Sequence, residues 1–183
     1  MQNKVEQTGT STIAINGGET TEFPVLAGSM GQPASDVRTL SKQTGHFTFD
    51  PGYTSTCSTE SQITFIDGGK GQLLYRGYPI EQLAEQSTFL EVAYLLVNGE
   101  LPRNSEFETF KTTITNHTML HDKVESFFNG CRRDSHPMAM LTGTVGALSG
   151  FYHDDQHTTE DEARNLAIRR IIAKIPPLAA RCY

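Results

Sequence analysis

Nothing in this 183-residue chain offers a long apolar run. The longest uncharged stretch, residues 137–152, falls short of the ~20 apolar residues that a membrane-spanning helix needs, and it contains Thr142, Thr144 and Ser149. Basic clusters are equally scarce. With 15 Lys and Arg against 21 Asp and Glu the formal charge is −6, and no cationic run exceeds Arg132-Arg133 or Arg169-Arg170. Nucleic acid and anionic membranes are therefore poor partners. Cysteine is sparse too. Cys57, Cys131 and Cys182 are odd in number and form no CxxC pair, which predicts free thiols in a reduced compartment rather than a disulfide frame. The opening residues, Met1-Gln2-Asn3-Lys4-Val5-Glu6-Gln7, lack the apolar core of a secretory signal, so the cytoplasm is the expected location.

What the chain does contain is a closely specified segment, residues 49–85. Asp50-Pro51-Gly52 is a turn with a glycine able to take positive φ, and Ile63-Thr64-Phe65-Ile66 is a β-branched and aromatic run closed by Asp67-Gly68-Gly69. Gln72-Leu73-Leu74-Tyr75-Arg76-Gly77 then returns as a second strand, and Tyr78-Pro79-Ile80-Glu81 sets a proline at the first position of a helix. Gly68-Gly69-Lys70-Gly71 falls in this hairpin turn and opens no helix, so it fails the context test for a phosphate loop. Upstream, Thr12-Ile13-Ala14-Ile15 and Glu22-Phe23-Pro24-Val25-Leu26 flank Asn16-Gly17-Gly18, which predicts a small β meander within residues 1–50.

From Pro79 onward the periodicity is helical. Thr88-x-x-Glu91 is a capping box opening an apolar face of Phe89, Val92, Ala93, Leu95 and Leu96, with Asn98-Gly99 closing it. Ser105-x-x-Glu108 predicts a second start, with Phe107, Phe110 and Ile114 on one face. A third helix is expected over residues 122–129, stopped by Gly130. Residues 137–151 carry Ala139, Gly143, Gly146, Ala147 and Gly150, small residues that let another helix approach closely, with Asp134 or Ser135 as the expected cap. Thr159-x-x-Glu162 opens a last helix through Leu166, Ile168, Ile171 and Ile172, ended by Ile175-Pro176-Pro177. The chain closes on Arg181-Cys182-Tyr183, within an apolar run and without Gly, Asn or Pro, so continuation is expected.

Few side chains point to chemistry. His117 and His121 lie four apart on a predicted helix, a spacing metals can use, but HTMLH lacks the glutamate of HExxH and a third ligand. His153 and His157 repeat that spacing in a polar segment better read as a solvated helix end. Asp134-Ser135-His136 is no triad, because consecutive side chains point apart. Arg170 and Lys174, four apart on one helical face, repel each other; either nearby carboxylates such as Glu162 offset this, or an anionic ligand does.

Five phrases carry a family likeness: Phe47-Thr48-Phe49-Asp50-Pro51-Gly52, Ile63-Thr64-Phe65-Ile66-Asp67-Gly68, Tyr75-Arg76-Gly77-Tyr78-Pro79-Ile80, Asn116-His117-Thr118-Met119 and Arg132-Arg133-Asp134-Ser135-His136-Pro137-Met138. In this order they resemble the N-terminal portion of citrate synthase, in particular the Gram-negative, hexameric type. The resemblance implies a mainly α, multihelical fold with a small β-rich N-terminal region. Residues 1–50 would be a β-rich extension and 51–183 the start of a truncated large helical domain.

The resemblance also implies an acyltransferase that condenses acetyl-CoA with oxaloacetate to citrate and CoA, requires no cofactor and works as a homo-oligomer, dimer or hexamer. The β-rich extension favours citrate over 2-methylcitrate synthase. The family's proton-abstracting aspartate and enol-stabilising histidine lie in its second half, so no catalytic residue and no metal site is assigned here, and this piece alone is expected to be inactive. In the hexameric branch NADH is an allosteric inhibitor, and the matching positions are His117, Thr118, Met119, Tyr152, Arg170 and Lys174, the last two as phosphate-contacting cations. Asn116 departs from the pattern: that branch commonly has arginine there. Two readings from other classes stand beside the enzyme: a stand-alone regulatory or ligand-binding module, and a structural interaction domain.

Overall fold

The turn at Asn16-Gly17 organises the first sheet. Both residues adopt positive φ, 54° and 70°, and the Gly18 N–H donates to the Ile15 carbonyl at 2.9 Å. That mirror-image geometry suits the right-handed twist of paired strands. It joins β1 (Glu6–Ala14) to β2 (Thr20–Ala27), antiparallel from Glu6↔Ala27 to Ala14↔Thr20, and β3 (Ala34–Ser35) adds to the far side of β2. Phe23 is fully buried beneath it. The expected meander is present, in a computed structural model that describes residues 5–152 and 161–183.

A short helix, α1 (Leu40–Thr44), leads to the second sheet. There β4 (Thr64–Asp67) pairs antiparallel with β5 (Gln72–Tyr75) around the four-residue loop Gly68-Gly69-Lys70-Gly71. β5 stops earlier than its sequence suggests. Arg76 and Gly77, at φ 51° and 89°, make a tight two-residue turn into β6 (Tyr78–Pro79). Arg76 is anchored in this unfavourable conformation by its guanidinium, which donates to the Leu96 carbonyl at 2.8 and 3.3 Å. Pro79 consequently stays extended and caps α2 (Ile80–Gln86) instead of being its first helical residue.

The Asp50-Pro51-Gly52 turn differs in the same way, since Tyr53 and not Gly52 takes the left-handed conformation, at φ 50°. Asp50 organises the residues just after it. Its carboxylate accepts the N–H groups of Ser55 and Thr54 at 2.9 and 3.0 Å, which, with the Thr56 hydroxyl, hold it well below the usual carboxylate range.

α3 (Phe89–Asn98) is bounded as the sequence indicates. The Thr88 N–H donates to Glu91 at 2.6 Å, the Glu91 N–H donates to the Thr88 hydroxyl, and Gly99 closes the helix at φ 95° with its N–H on Leu95. Leu95 is fully buried, but Phe89, expected on the same face, is 72% exposed.

The structure divides into two compact units, Met1–Leu101 and Pro102–Tyr183. The second opens with α4 (Asn104–Asn116), which begins before the predicted Ser105 box. Glu106, not Glu108, reaches back to accept the Arg103 N–H at 2.8 Å, and Ser105 lies inside the helix. Phe110 and Ile114 are buried as the spacing predicts. α5 (Val124–Asn129) comes next, with Gly130 as its C-cap in ordinary right-handed geometry.

α6 (Pro137–Ala147) has proline in its first turn, but the cap is His136, whose Nδ1 accepts the Met138 N–H at 3.1 Å. Asp134, an expected cap, instead pairs with Arg132 at 2.7 and 2.9 Å. Close approach occurs at Gly143, where an added Cβ would lie 3.0 Å from the Phe127 ring of α5.

α7 (Asp161–Arg181) overturns the expected proline stop by running straight through Pro176-Pro177. The prolines withhold the N–H groups that Ile172 and Ala173 would otherwise accept. Burial beyond them explains why the helix continues. Leu178 is fully buried in a core with Val124 and Leu148, and Cys182, one turn on, is also buried. Thr159, His153 and His157 lie outside the described residues. Mainly helical, with a β-rich N-terminal region, the architecture is the one expected.

Candidate functional site

The end of α4 begins the site. His117 is its C-cap, with its N–H on the Ile114 carbonyl at 3.0 Å, and the Thr118 hydroxyl donates to Thr115 at 2.8 Å. Because the helix stops at Asn116, His117 and His121 do not share a helical face, and the metal-like spacing dissolves. His121 instead accepts the Lys123 N–H through Nδ1 and packs on Phe151, with ring centroids 5.1 Å apart. Among the described residues no group of three or more His, Cys, Asp or Glu is placed to hold a metal ion.

α7 contributes the cations. Lys174 is 3% exposed, and its ammonium donates to the carbonyls of His117 at 2.9 Å and Met119 at 2.7 Å. Carbonyls just past a helix carry the negative end of its dipole, so an ammonium is favoured there. One ring then serves two cations: Tyr152 lies 4.7 Å from the Lys174 ammonium and 5.1 Å from the Arg170 guanidinium, both within reach of its π face. The alternative of solvated cations offset by Glu162 does not describe Lys174, which is buried.

The fold thus gathers Tyr152, Arg170, Lys174 and the 117–119 segment, while the Met119 side chain stands 80% exposed at the rim. The arrangement is a buried ammonium held by two carbonyls past a helix end, with a second cation and one aromatic ring beside it. The sequence signal was the four-residue spacing of Arg170 and Lys174; the carbonyl partners have no sequence signature. Nearby, His121, Asp122, Glu125 and Arg181 border a small open cleft of about 70 Å³, too little to enclose a cofactor. All three thiols are free, and burial, aided by Cys131, pushes Cys182 up and away from reactivity.

Comparison with known proteins agrees with this architecture. Residues 52–183 match the family described as citrate synthase, C-terminal domain. Among solved structures the chain is similar to citrate synthase from Thermotoga maritima, at 30% identity and TM-score 0.61 over 74% of this chain and 34% of that one. It is similar to the Pyrobaculum aerophilum enzyme at 27% identity and TM-score 0.63, over 100% of this chain and 40% of that one. The fold is shared with the citrate synthase of Thermoplasma acidophilum at 24% identity and TM-score 0.63, covering 72% and 35%. The chain therefore spans from 34% to 40% of the length of these structures. With the family match extending across most of its residues, this chain belongs to the citrate synthase family.

Proposed function

We propose that this chain is the N-terminal part of a citrate synthase of the NADH-regulated, hexameric type, and that the intact protein condenses acetyl-CoA with oxaloacetate to citrate and CoA in the cytoplasm. The observation that carries the reading is the family match over residues 52–183. The Thermoplasma acidophilum relative was solved as a ternary complex with carboxymethyl coenzyme A and oxaloacetate, which favours the same substrates here. Proton abstraction from the acetyl methyl needs a positioned base and a partner for the developing enolate charge. In this reading those groups come from polypeptide beyond this chain, which supplies scaffold, subunit contacts and a regulatory surface.

For that surface, His117, Thr118, Met119, Tyr152, Arg170 and Lys174 are the NADH site. Support comes from their meeting around one aromatic ring with two cations. Asn116 removes one positive charge from the branch's usual set, so affinity weaker than in that branch is expected.

The test is the rate of CoA release by the intact protein from acetyl-CoA and oxaloacetate, with and without NADH. Turnover with inhibition below millimolar NADH is expected, and none from the 183-residue chain alone. Absence of turnover by the intact protein removes the synthase reading. Turnover untouched by millimolar NADH removes the regulatory one.

A further inference from the structure

Three asparagines precede a glycine: Asn16, Asn98 and Asn129. A glycine nitrogen carries no neighbouring Cβ to hinder its approach to the asparagine amide, and asparagine is among the chemically labile residues. All three asparagines are exposed, so exposure does not separate them. The glycine N–H groups do.

The Gly99 N–H donates to the Leu95 carbonyl at 2.8 Å, and Asn98 is itself held by its side-chain amide, which donates to the Tyr94 carbonyl at 3.0 Å. The Gly130 N–H is shared between the Ser126 and Phe127 carbonyls at 3.2 and 3.3 Å. Both nitrogens close a helix, and neither can lose its proton to solvent until that bond opens. Asn16-Gly17 is the tip of the β1–β2 turn instead. The bond closing that turn comes from Gly18, and the Gly17 N–H donates to no backbone carbonyl among the described residues. A Cβ built on Gly17 meets nothing within 4 Å, so a ring formed there has room.

We propose that Asn16 is a self-modification site, at which the Gly17 nitrogen converts the side-chain amide to a carboxylate. With its proton passed to hydroxide, that nitrogen attacks the Asn16 Cγ. A C–N bond closes a succinimide ring, while the side-chain nitrogen takes up a proton and leaves as ammonia. One water then opens the ring at either carbonyl, giving aspartate or isoaspartate; the balance is amide plus water to acid plus ammonia. Either product adds a negative charge. Isoaspartate also inserts a methylene into the main chain of a turn built on positive φ at both residues, which loosens the pairing of β1 with β2.

The test is peptide mapping by mass spectrometry of the intact protein after incubation in mildly alkaline buffer, folded and in urea, with an isoaspartate-specific carboxyl methyltransferase as the probe for the rearranged product. In the folded protein the Asn16 peptide should convert at least about tenfold faster than those of Asn98 and Asn129, the factor expected where one hydrogen bond must first be broken. In urea the three should converge. Conversion of Asn98 or Asn129 as fast as Asn16 in the folded protein overturns the proposal, as does an Asn16 that stays unconverted. Equal selectivity in urea would assign the difference to neighbouring sequence and overturn its structural basis.

Discussion

Glu91 satisfies a backbone donor at the start of α3, and its ionisation reflects that. The Thr88 N–H and hydroxyl hold its carboxyl below the ordinary value of 4.5. A group depressed on folding adds stability that is complete above its ordinary value and disappears as pH falls through the lower folded one. Thr88→Ala should therefore lower the thermal midpoint of the intact protein by the equivalent of about 1 kcal/mol at neutral pH. Glu91→Gln should differ from the parent most at neutral pH and progressively less as pH drops below 4.5. A difference that grows on acidification would contradict this account of the cap.

The same residue-scale logic shows why some caps were legible and others were not. Thr88-x-x-Glu91 and Ser105-x-x-Glu108 read alike, yet only the first is a box. At the second, the chain leaving Pro102 is extended at Arg103, so Glu106 meets the first exposed N–H and the helix is under way before Ser105. Left-handed Tyr53 and Arg76 were hidden for a related reason. Tyr53 lies beside Gly52, which could have taken positive φ at lower cost, and Arg76 is left-handed together with Gly77, a second positive φ that its guanidinium's bond to the distant Leu96 carbonyl supports. At the candidate site, the spacing of Arg170 and Lys174 was visible, whereas the burial of Lys174 depends on backbone carbonyls 57 and 55 residues away, which no side-chain pattern announces.

At the scale of elements, α7 is the clearest case of packing overriding propensity. An interior proline costs a helix about 3 kcal/mol or more, and here two stand in succession. The helix persists because Leu178 and Cys182 must reach the core beyond them. Pro176 is exposed, so its ring adds little packing. Pro176→Ala would return an N–H to the Ile172 carbonyl, offset in part by greater freedom of the unfolded chain. A net gain on the order of 2 kcal/mol is expected, seen as a higher thermal midpoint. An unchanged or lower midpoint would mean that the distortion at the prolines is itself needed for packing. The hairpins β1–β2 and β4–β5, by contrast, were readable from local chemistry, because Asn16-Gly17 and the Gly68–Gly71 loop join their strands locally, whereas β6 was hidden behind the Arg76 turn, which a distant carbonyl supports.

At the scale of the whole molecule, the glycines of α6 separate contacts within the chain from contacts between copies. Gly143 is used internally, since Phe127 occupies the space its side chain would need. Gly146 is different: a Cβ added there meets no other atom within 4 Å, and the residue is exposed. Within one chain, Gly146→Leu should therefore be tolerated and even favourable, because glycine in a helix is about 1 kcal/mol poorer than the best helix formers. If the open stripe of α6 is the seam between protomers, the same substitution drives an isobutyl group into a contact that only small residues permit. The intact protein carrying Gly146→Leu should then sediment as a smaller species while the isolated protomer keeps its helical content. An assembly of unchanged size, with a raised thermal midpoint, would place the subunit contact elsewhere and leave Gly146 as an ordinary solvent-facing glycine.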